Sequence, residues 1–138
     1  ASRFLAESDL TVTLSRPSDV AYARQAAMQA MTSIGASAIK RTKFVTAVSE
    51  IARNAIVYGH GGRISFEIVG NGSQRRVVAE CTDRGPGIAD VNQALKDGFS
   101  TGKGLGLGLS GARRLVDRFK ITSSSDTGTT VILECACR

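Results

Sequence analysis

A carboxylate and a carboxamide, Glu50 and Asn54, lie four residues apart in a segment with helical periodicity. Residues at this spacing project from one face of a helix, one turn from each other, so both can reach one ligand. The amide oxygen of Asn54 suits a small hard cation such as Mg²⁺, and Glu50 suits a general base toward a hydroxyl nucleophile. Taken alone, the pair is also typical of a solvated helix face, so its interpretation depends on the motifs that follow.

The second motif, Asp83-Arg-Gly85-Pro-Gly87, follows a predicted strand. Asp83 can accept a hydrogen bond from an exocyclic amine, and glycines allow the backbone to approach a planar base closely. The same residue types also form ordinary turns. The motif predicts a site for a nucleotide base only in combination with a phosphate-binding segment.

Such a segment is Gly104-Leu-Gly106-Leu-Gly108-Leu109, which leads into a predicted helix. Glycines at every second position expose backbone N–H groups, and the start of a helix adds positive potential. These features favour a phosphate cradle over a purely structural glycine-rich loop.

Two familiar phosphate loops are excluded. The run from Gly98 to Gly104 resembles a P-loop but lacks its four-residue spacing and the Ser or Thr after Lys103. The run from Gly106 to Gly111 matches a dinucleotide-binding fingerprint, but no strand immediately precedes it and no βαβ unit surrounds it.

Hydrophobic periodicity indicates the elements that must position these motifs. Strands are predicted at residues 10–14, 64–69, 76–82, 120–125 and 129–136, and helices at 20–34, 38–58, 91–96 and 109–119. The second and third strands are expected to form a hairpin through a tight turn at Asn71-Gly72. This order predicts an α/β two-layer sandwich, with a largely antiparallel sheet and helices on one face.

Composition narrows the function classes. The 138 residues suffice for one domain, 42% of them are hydrophobic, and no apolar run reaches the roughly 20 residues that span a bilayer. We therefore expect one domain over residues 1–138, which can be a fragment of a longer chain, and no membrane association. Three cysteines and one histidine make a disulfide framework or a zinc site an unfavoured interpretation and fit a reducing cytoplasm. The net charge of +6 favours anionic partners in general, but aromatic residues do not alternate with basic ones as in a nucleic-acid platform.

Taken together, the ordered motifs resemble the GHKL superfamily of ATPases and kinases. Within it, the chain is most similar to the single-domain bacterial switch kinases that regulate sigma factors, and its details favour the RsbT type of switch serine kinase. The resemblance covers nearly the whole chain. The segments that carry it are Asp19 to Gln25, Ser49 to Asn54, Asp83 to Gly87, Asp97 to Thr101, Gly104 to Leu109 and Gly128 to Thr130.

The resemblance implies the ATP-binding (Bergerat) fold of that superfamily and a role for each motif. Asn54 would hold Mg²⁺ on the phosphates of ATP, Glu50 would act as the base toward the acceptor hydroxyl, and Asp83 would bind the adenine amine. The remaining implied nucleotide contacts are Gly85 and Gly87 at the adenosine, Gly104, Gly106, Gly108 and Leu109 at the triphosphate, Lys103 at the γ-phosphate, and Thr129 or Thr130 near the base.

The resemblance also implies an activity and partners. It points to Mg-ATP-dependent phosphorylation of a serine or threonine on a STAS-domain regulator, with a sigma factor or a phosphatase as further partners; a homodimer is left open. The main alternative is a nucleotide-gated anti-sigma factor or other partner-sequestering module with little kinase activity. An ATPase switch within a larger machine and a nucleic-acid-binding protein are less favoured.

Overall fold

The computed structural model describes residues 10–86 and 109–138 of the chain. Their elements are, in order, β1 (Thr11–Leu14), α1 (Asp19–Ser33), α2 (Ala38–Val57), β2 (Gly62–Val69), β3 (Arg76–Asp83), α3 (Leu109–Arg114), β4 (Arg118–Ser124) and β5 (Gly128–Ala136). The predicted helix at residues 91–96 lies outside the described residues.

The five strands form one sheet in the order β1-β2-β3-β5-β4, and every pair of neighbours is antiparallel. The predicted antiparallel sheet, and with it the α/β class, is confirmed. Because β5 returns between β3 and β4, the end of β3 and the start of β5 come side by side, with Thr82 paired to Thr130. This junction brings Asp83 next to Thr129.

One face of the sheet is covered by the helices. Its side chains alternate with exposed ones along each strand, as expected for a half-buried sheet. Phe44 of α2 packs edge-on against Phe66 of β2, with ring centroids 6.5 Å apart, and this contact joins the two layers. The buried strand positions are Leu14, Ile64, Phe66, Val77, Ala79, Cys81, Val131, Leu133 and Cys135.

The layer above them consists of α1 and α2, which are antiparallel neighbours in the chain and pack on each other through small side chains. Ala23, Ala27 and Ala30 of α1 are fully buried, which allows close approach of the helices. The hydroxyl of Ser37, just before α2, accepts a hydrogen bond from the amide of Lys40 and so caps the helix. No helix in residues 10–86 or 109–138 combines the length and hydropathy needed to cross a bilayer.

The last helix is shorter than predicted. The sequence pattern extends it to Phe119, but α3 ends at Arg114 and β4 begins at Arg118. The Asp117 amide donates to the Glu134 carbonyl, and the Asp117 carboxylate accepts from the Ala136 amide at 2.7 Å. Pairing with β5 therefore overrides the helical periodicity of this segment.

The connection between β2 and β3 also differs from the predicted tight turn. The hairpin forms, but its loop contains a short 3₁₀ turn, Gly72–Gln74, and the positive φ angles are at Gly70 and Gly72 instead of Asn71. The register joins Val69 to Arg76, so the loop spans six residues. A longer loop removes the need for Asn71 to adopt a left-handed conformation.

Candidate functional site

The site is organised around Asp83, the last residue of β3. Its Oδ1 atom accepts hydrogen bonds from the Gly85 amide at 2.9 Å and from the Thr129 amide at 3.2 Å. Among the described residues, no donor is assigned to its Oδ2 atom. Since each carboxylate oxygen carries two lone pairs, Asp83 is held in one orientation while keeping acceptor capacity for a ligand.

The negatively charged form of the Asp83 carboxyl group is disfavoured at this position. Partial burial raises the pKa of Asp83 above its ordinary value, against the lowering influence of the amides of Gly85 and Thr129 and of nearby His60. Burial disfavours the charged form of a carboxyl group, and here this effect outweighs the two amide hydrogen bonds that favour the charged form. The thiol of Cys81 on the same strand is inert, because burial, with a contribution from Asp83, raises its pKa to about 12.

The turn after α2 lies directly against Asp83. A Cβ atom on Gly59 would come within 2.5 Å of Asp83 Oδ2, and one on Gly85 would lie 2.6 Å from the Cα atom of Gly59. Both contacts are closer than any side chain allows, so the site requires glycine at these two positions. The next residue, His60, has φ +60, a left-handed conformation that is uncommon outside glycine.

The same turn ties Asp83 to the helix that carries Asn54. The backbone oxygen of Asn54 accepts hydrogen bonds from the amides of Tyr58 at 2.9 Å and Gly59 at 3.1 Å. The carboxyl end of α2 is thereby fixed next to the end of β3. Two motifs that are 29 residues apart in the chain, at Asn54 and Asp83, lie on either side of Gly59.

Glu50 lies one turn earlier on α2 and is half-buried, as is Asn54. Its neighbour Ser49 is buried, and the Ser49 hydroxyl accepts a hydrogen bond from the Arg24 guanidinium at 2.9 Å. Arg24 thus links α1 to the part of α2 that carries Glu50.

Thr129 contributes through its backbone. Its amide donates to Asp83, whereas its buried hydroxyl is 2.8 Å from the hydroxyl of Ser123. Thr130 alternates with it and faces the other side of the sheet, between Thr82 and Thr122. Of the two threonines left open by the sequence, Thr129 is the one that contacts the site.

Of the predicted phosphate-binding segment, the last residue, Leu109, lies within the described part of the chain. Leu109 begins α3 and is buried in the core, and α3 packs against α2. The side chain of Leu109 therefore anchors this end of the segment to the helix that carries Asn54. The predicted contacts at Gly87, Lys103, Gly104, Gly106 and Gly108 lie outside the described residues.

Two contributors were not among the predicted contacts. Gly59 lies on Asp83, and Gly128, with φ +80, leaves room for the Asp83 backbone, since a Cβ there would overlap the Asp83 carbonyl oxygen. The sequence signal for Gly59 is its place in the Gly-His-Gly-Gly run after α2. The sequence signal for Gly128 is its place in the Gly128 to Thr130 segment, which carries part of the family resemblance but assigned no contact to this glycine.

The arrangement fits a nucleotide better than a protein-held metal centre. In residues 10–86 and 109–138 there is no group of three or more acidic, histidine or cysteine side chains that could hold an ion. A single carboxamide such as that of Asn54 fits Mg²⁺, because this ion usually keeps several waters and is bound through phosphates and one or two protein ligands. Asp83, Gly59 and Gly85 lie in close contact, and the carboxylate oxygen of Asp83 is an acceptor that suits an amine on a flat ring.

Comparison with known proteins shows which proteins this chain is similar to. A family model described as a histidine kinase-like ATPase domain matches residues 13–135. Serine/threonine-protein kinase RsbT of Bacillus subtilis (strain 168) is 36% identical over 113 residues, covering 82% of this chain and 85% of that protein. An Anti-sigma F factor of Halalkalibacterium halodurans is 34% identical over 98 residues, covering 67% of each chain. Among solved structures, the catalytic domain of the histidine kinase ThkA has a TM-score of 0.48 and 25% identity, over 70% of this chain and 67% of that one.

The family match covers all the described elements from the end of β1 to β5, and the predicted resemblance, including the RsbT type, is confirmed. The chain belongs to the family of histidine kinase-like ATPase domains.

Proposed function

We propose that this protein is a Mg-ATP-dependent serine/threonine kinase that phosphorylates a STAS-domain regulator in a partner-switching system. The observation that carries the proposal is Asp83, whose carboxylate is oriented by the amides of Gly85 and Thr129 and lies against Gly59, in the turn that is hydrogen-bonded to Asn54. This agrees with the name of the RsbT relative, which has 36% identity over most of the chain.

In this proposal, Asp83 binds the adenine. Its Oδ2 atom accepts the exocyclic amine, and Gly59 and Gly85 form the wall against which the flat base lies. A base with a carbonyl oxygen in place of the amine would be rejected, because two acceptors would face each other.

The other half of the nucleotide extends toward α2. Asn54 would hold Mg²⁺ through its amide oxygen, and the ion, when bound, neutralises charge on the phosphates. The glycine segment before Leu109 would supply backbone donors to the same phosphates.

Glu50 acts on the acceptor. Its carboxylate takes the proton from the serine or threonine hydroxyl as the oxygen forms a bond to the γ-phosphorus and the bond from that phosphorus to the β-γ bridging oxygen breaks, releasing ADP. The acceptor must come from another protein, and the proposed substrate is a STAS-domain regulator. A sigma factor or a phosphatase is a further candidate partner. We also propose that the protein acts in the cytoplasm, as part of this partner-switching system.

The experiment is phosphate transfer from labelled ATP to a purified STAS-domain protein, with wild type and Glu50→Gln compared. Loss of a general base typically costs two or more orders of magnitude, so we expect transfer to fall about a hundredfold or more while ATP binding is retained. Undiminished transfer by Glu50→Gln contradicts the role of Glu50. No transfer by wild type to any STAS-domain regulator contradicts the kinase proposal.

The second candidate is a nucleotide-gated module that sequesters its partner, supported by the relatives named Anti-sigma F factor. This candidate keeps ATP binding but makes catalysis secondary. It predicts ATP-dependent complex formation with a sigma factor that is unaffected by Glu50→Gln. Gel filtration of the mixture with and without ATP distinguishes it from the kinase proposal.

A further inference from the structure

The outer strand β4 and the exposed face of the sheet beside it form a groove that the nucleotide site does not use. Its wall and floor are formed by Arg118, Phe119, Lys120, Ile132 and Glu134, and its cavity volume is about 480 Å³. This volume is within the range of roughly 300 to 1,000 Å³ that is usual for ligand sites in proteins.

The groove lies along the outermost strand of the sheet. Arg118 and Lys120 lie on the exposed face, paired with Glu134 and Ile132, whereas Phe119 alternates with them and packs against the core on the helix side. One edge of β4 pairs with β5, and its other edge faces away from β5. On that edge, no other strand of residues 10–86 or 109–138 pairs with β4.

An outer strand offers its unpaired backbone N–H and C=O groups to an added strand. A peptide bound in this way takes affinity from main-chain hydrogen bonds and specificity from alternate side chains. The open edge of β4 beside the groove therefore suits an extended segment.

The charged side chains around the groove indicate what kind of segment it would bind. Glu134 is held by Arg76 at 2.9 Å and is 3.8 Å from Arg118, so one carboxylate is shared by two guanidinium groups. Lys120 is exposed and has no ion-pair partner among the described residues. The side chain of Arg118 is 81% exposed. Positive charge is thus in excess along β4, while Ile132 of β5, which is paired with Lys120, supplies an apolar surface in the groove.

We propose that the β4 groove binds an acidic, extended segment of a partner protein by adding it as a sixth strand of the sheet. Carboxylates at alternate positions of the segment meet Arg118 and Lys120, and the apolar side chain between them faces the helix side of the sheet, next to Phe119. This surface is independent of the Asp83 site, so its test does not depend on the proposed kinase activity.

The test uses a fluorescein-labelled peptide of alternating Glu and Val, matched to the seven residues of β4. Fluorescence anisotropy is measured for wild type, for Arg118→Glu with Lys120→Glu, and for the control pair Lys43→Glu with Arg63→Glu, whose side chains are exposed elsewhere. We expect the β4 pair to weaken binding by about tenfold or more and the control pair to change it little. Hydrogen exchange should slow at the amides of β4 when the peptide binds.

Several outcomes overturn the proposal. The first is the absence of saturable binding by wild type, and the second is equal weakening by both charge-reversal pairs. The third is unchanged affinity for a peptide whose central Val is replaced by Pro, which removes a backbone donor. A labelled single-stranded oligonucleotide is tested in parallel. If it binds and loses affinity with the β4 pair whereas the peptide does not bind, the groove is a nucleic-acid surface and the proposal is wrong.

Discussion

At the scale of single residues, Asp83 combines two properties that are usually in conflict. It is partly removed from water, which raises its pKa, yet two backbone amides orient it as an acceptor. A carboxylate that is poorly solvated but keeps a free acceptor atom gains more from an incoming donor than an exposed one does. The proposed recognition of adenine depends on this combination.

Replacing Asp83 by Asn tests the role of this residue in ATP binding separately from its role in stability. Asn keeps an oxygen for the amides of Gly85 and Thr129 but directs an amide donor toward the ligand, so we expect ATP affinity to fall by about tenfold to a hundredfold. Stability in urea should be unchanged or higher, since the desolvated charge is removed. Calorimetric titration with ATP measures the first effect. A variant that binds ATP as wild type does contradicts the role of Asp83, provided that it is folded.

The raised pKa of Asp83 also predicts a pH dependence. Protonation removes the acceptor, so ATP affinity should decline as the pH falls through the folded-state pKa, which begins at a higher pH than for an ordinary Asp. Stability has the opposite sign, because a raised folded-state pKa stabilises the native state at low pH and this contribution is lost as the pH rises through that value. Titrations at several pH values check the prediction, with Asp83→Asn as the control that should lack this component.

At the scale of elements, the end of the last strand is fixed by Asp117. Its Oδ2 atom accepts from the Ala136 amide at 2.7 Å and from the ammonium group of Lys40 at 3.1 Å, so one carboxylate connects β5 to the start of α2. Burial alone would raise the pKa of Asp117, but the Ala136 amide and Lys40 together lower it. This interaction explains why the chain leaves α3 early and joins the sheet.

We expect Asp117→Ala to lower the free energy of unfolding by about 1 kcal/mol, a small value because solvent screens this half-exposed carboxylate. The part of this effect that depends on charge should be lost as the pH falls from the ordinary Asp value of 3.8 through the lowered folded-state pKa of Asp117, because the pKa shift stabilises the native state fully only above the ordinary value. Urea unfolding at neutral and acidic pH measures both. Asp117→Asn keeps an acceptor for Ala136 and should lose less; an equal loss would show that the charge alone matters.

At the scale of the whole molecule, stability depends on the contact between the helix layer and the sheet. Phe44 is fully buried and meets Phe66 at an interplanar angle of 71°. The same two elements, α2 and the sheet, carry the two halves of the candidate site. Packing in the core and alignment of the site are therefore coupled.

Phe44→Ala should lower the free energy of unfolding by about 3 to 5 kcal/mol, because a large buried ring leaves a cavity that the packed helices fill only in part. Tyr22→Ala is the matched control, since Tyr22 is 59% exposed, and it should change stability by about 0.5 kcal/mol or less. Denaturant titration of both variants measures the difference. Similar values for the two would contradict the assignment of Phe44 as the contact between the layers.

Much of this molecule follows from local sequence. Alternation of apolar residues predicts all five strands, helical spacing predicts α1 and α2, and the order of the three motifs predicts the family. These features are readable because they depend on the pattern within one segment. Asp83 and Asn54 could be singled out in the same way, since each lies at a fixed place in a motif.

Tertiary structure decided what depends on contacts between distant segments. The sequence extends the last helix to Phe119, and only pairing with β5 ends it at Arg114. The sequence does not distinguish Thr129 from Thr130 as the residue near the base. The pairing of β3 with β5 decides this, because it places the Thr129 amide on Asp83. Gly59 acquires its importance when the end of α2 and the end of β3 are brought together, because a steric requirement between two backbones appears only once both are in place.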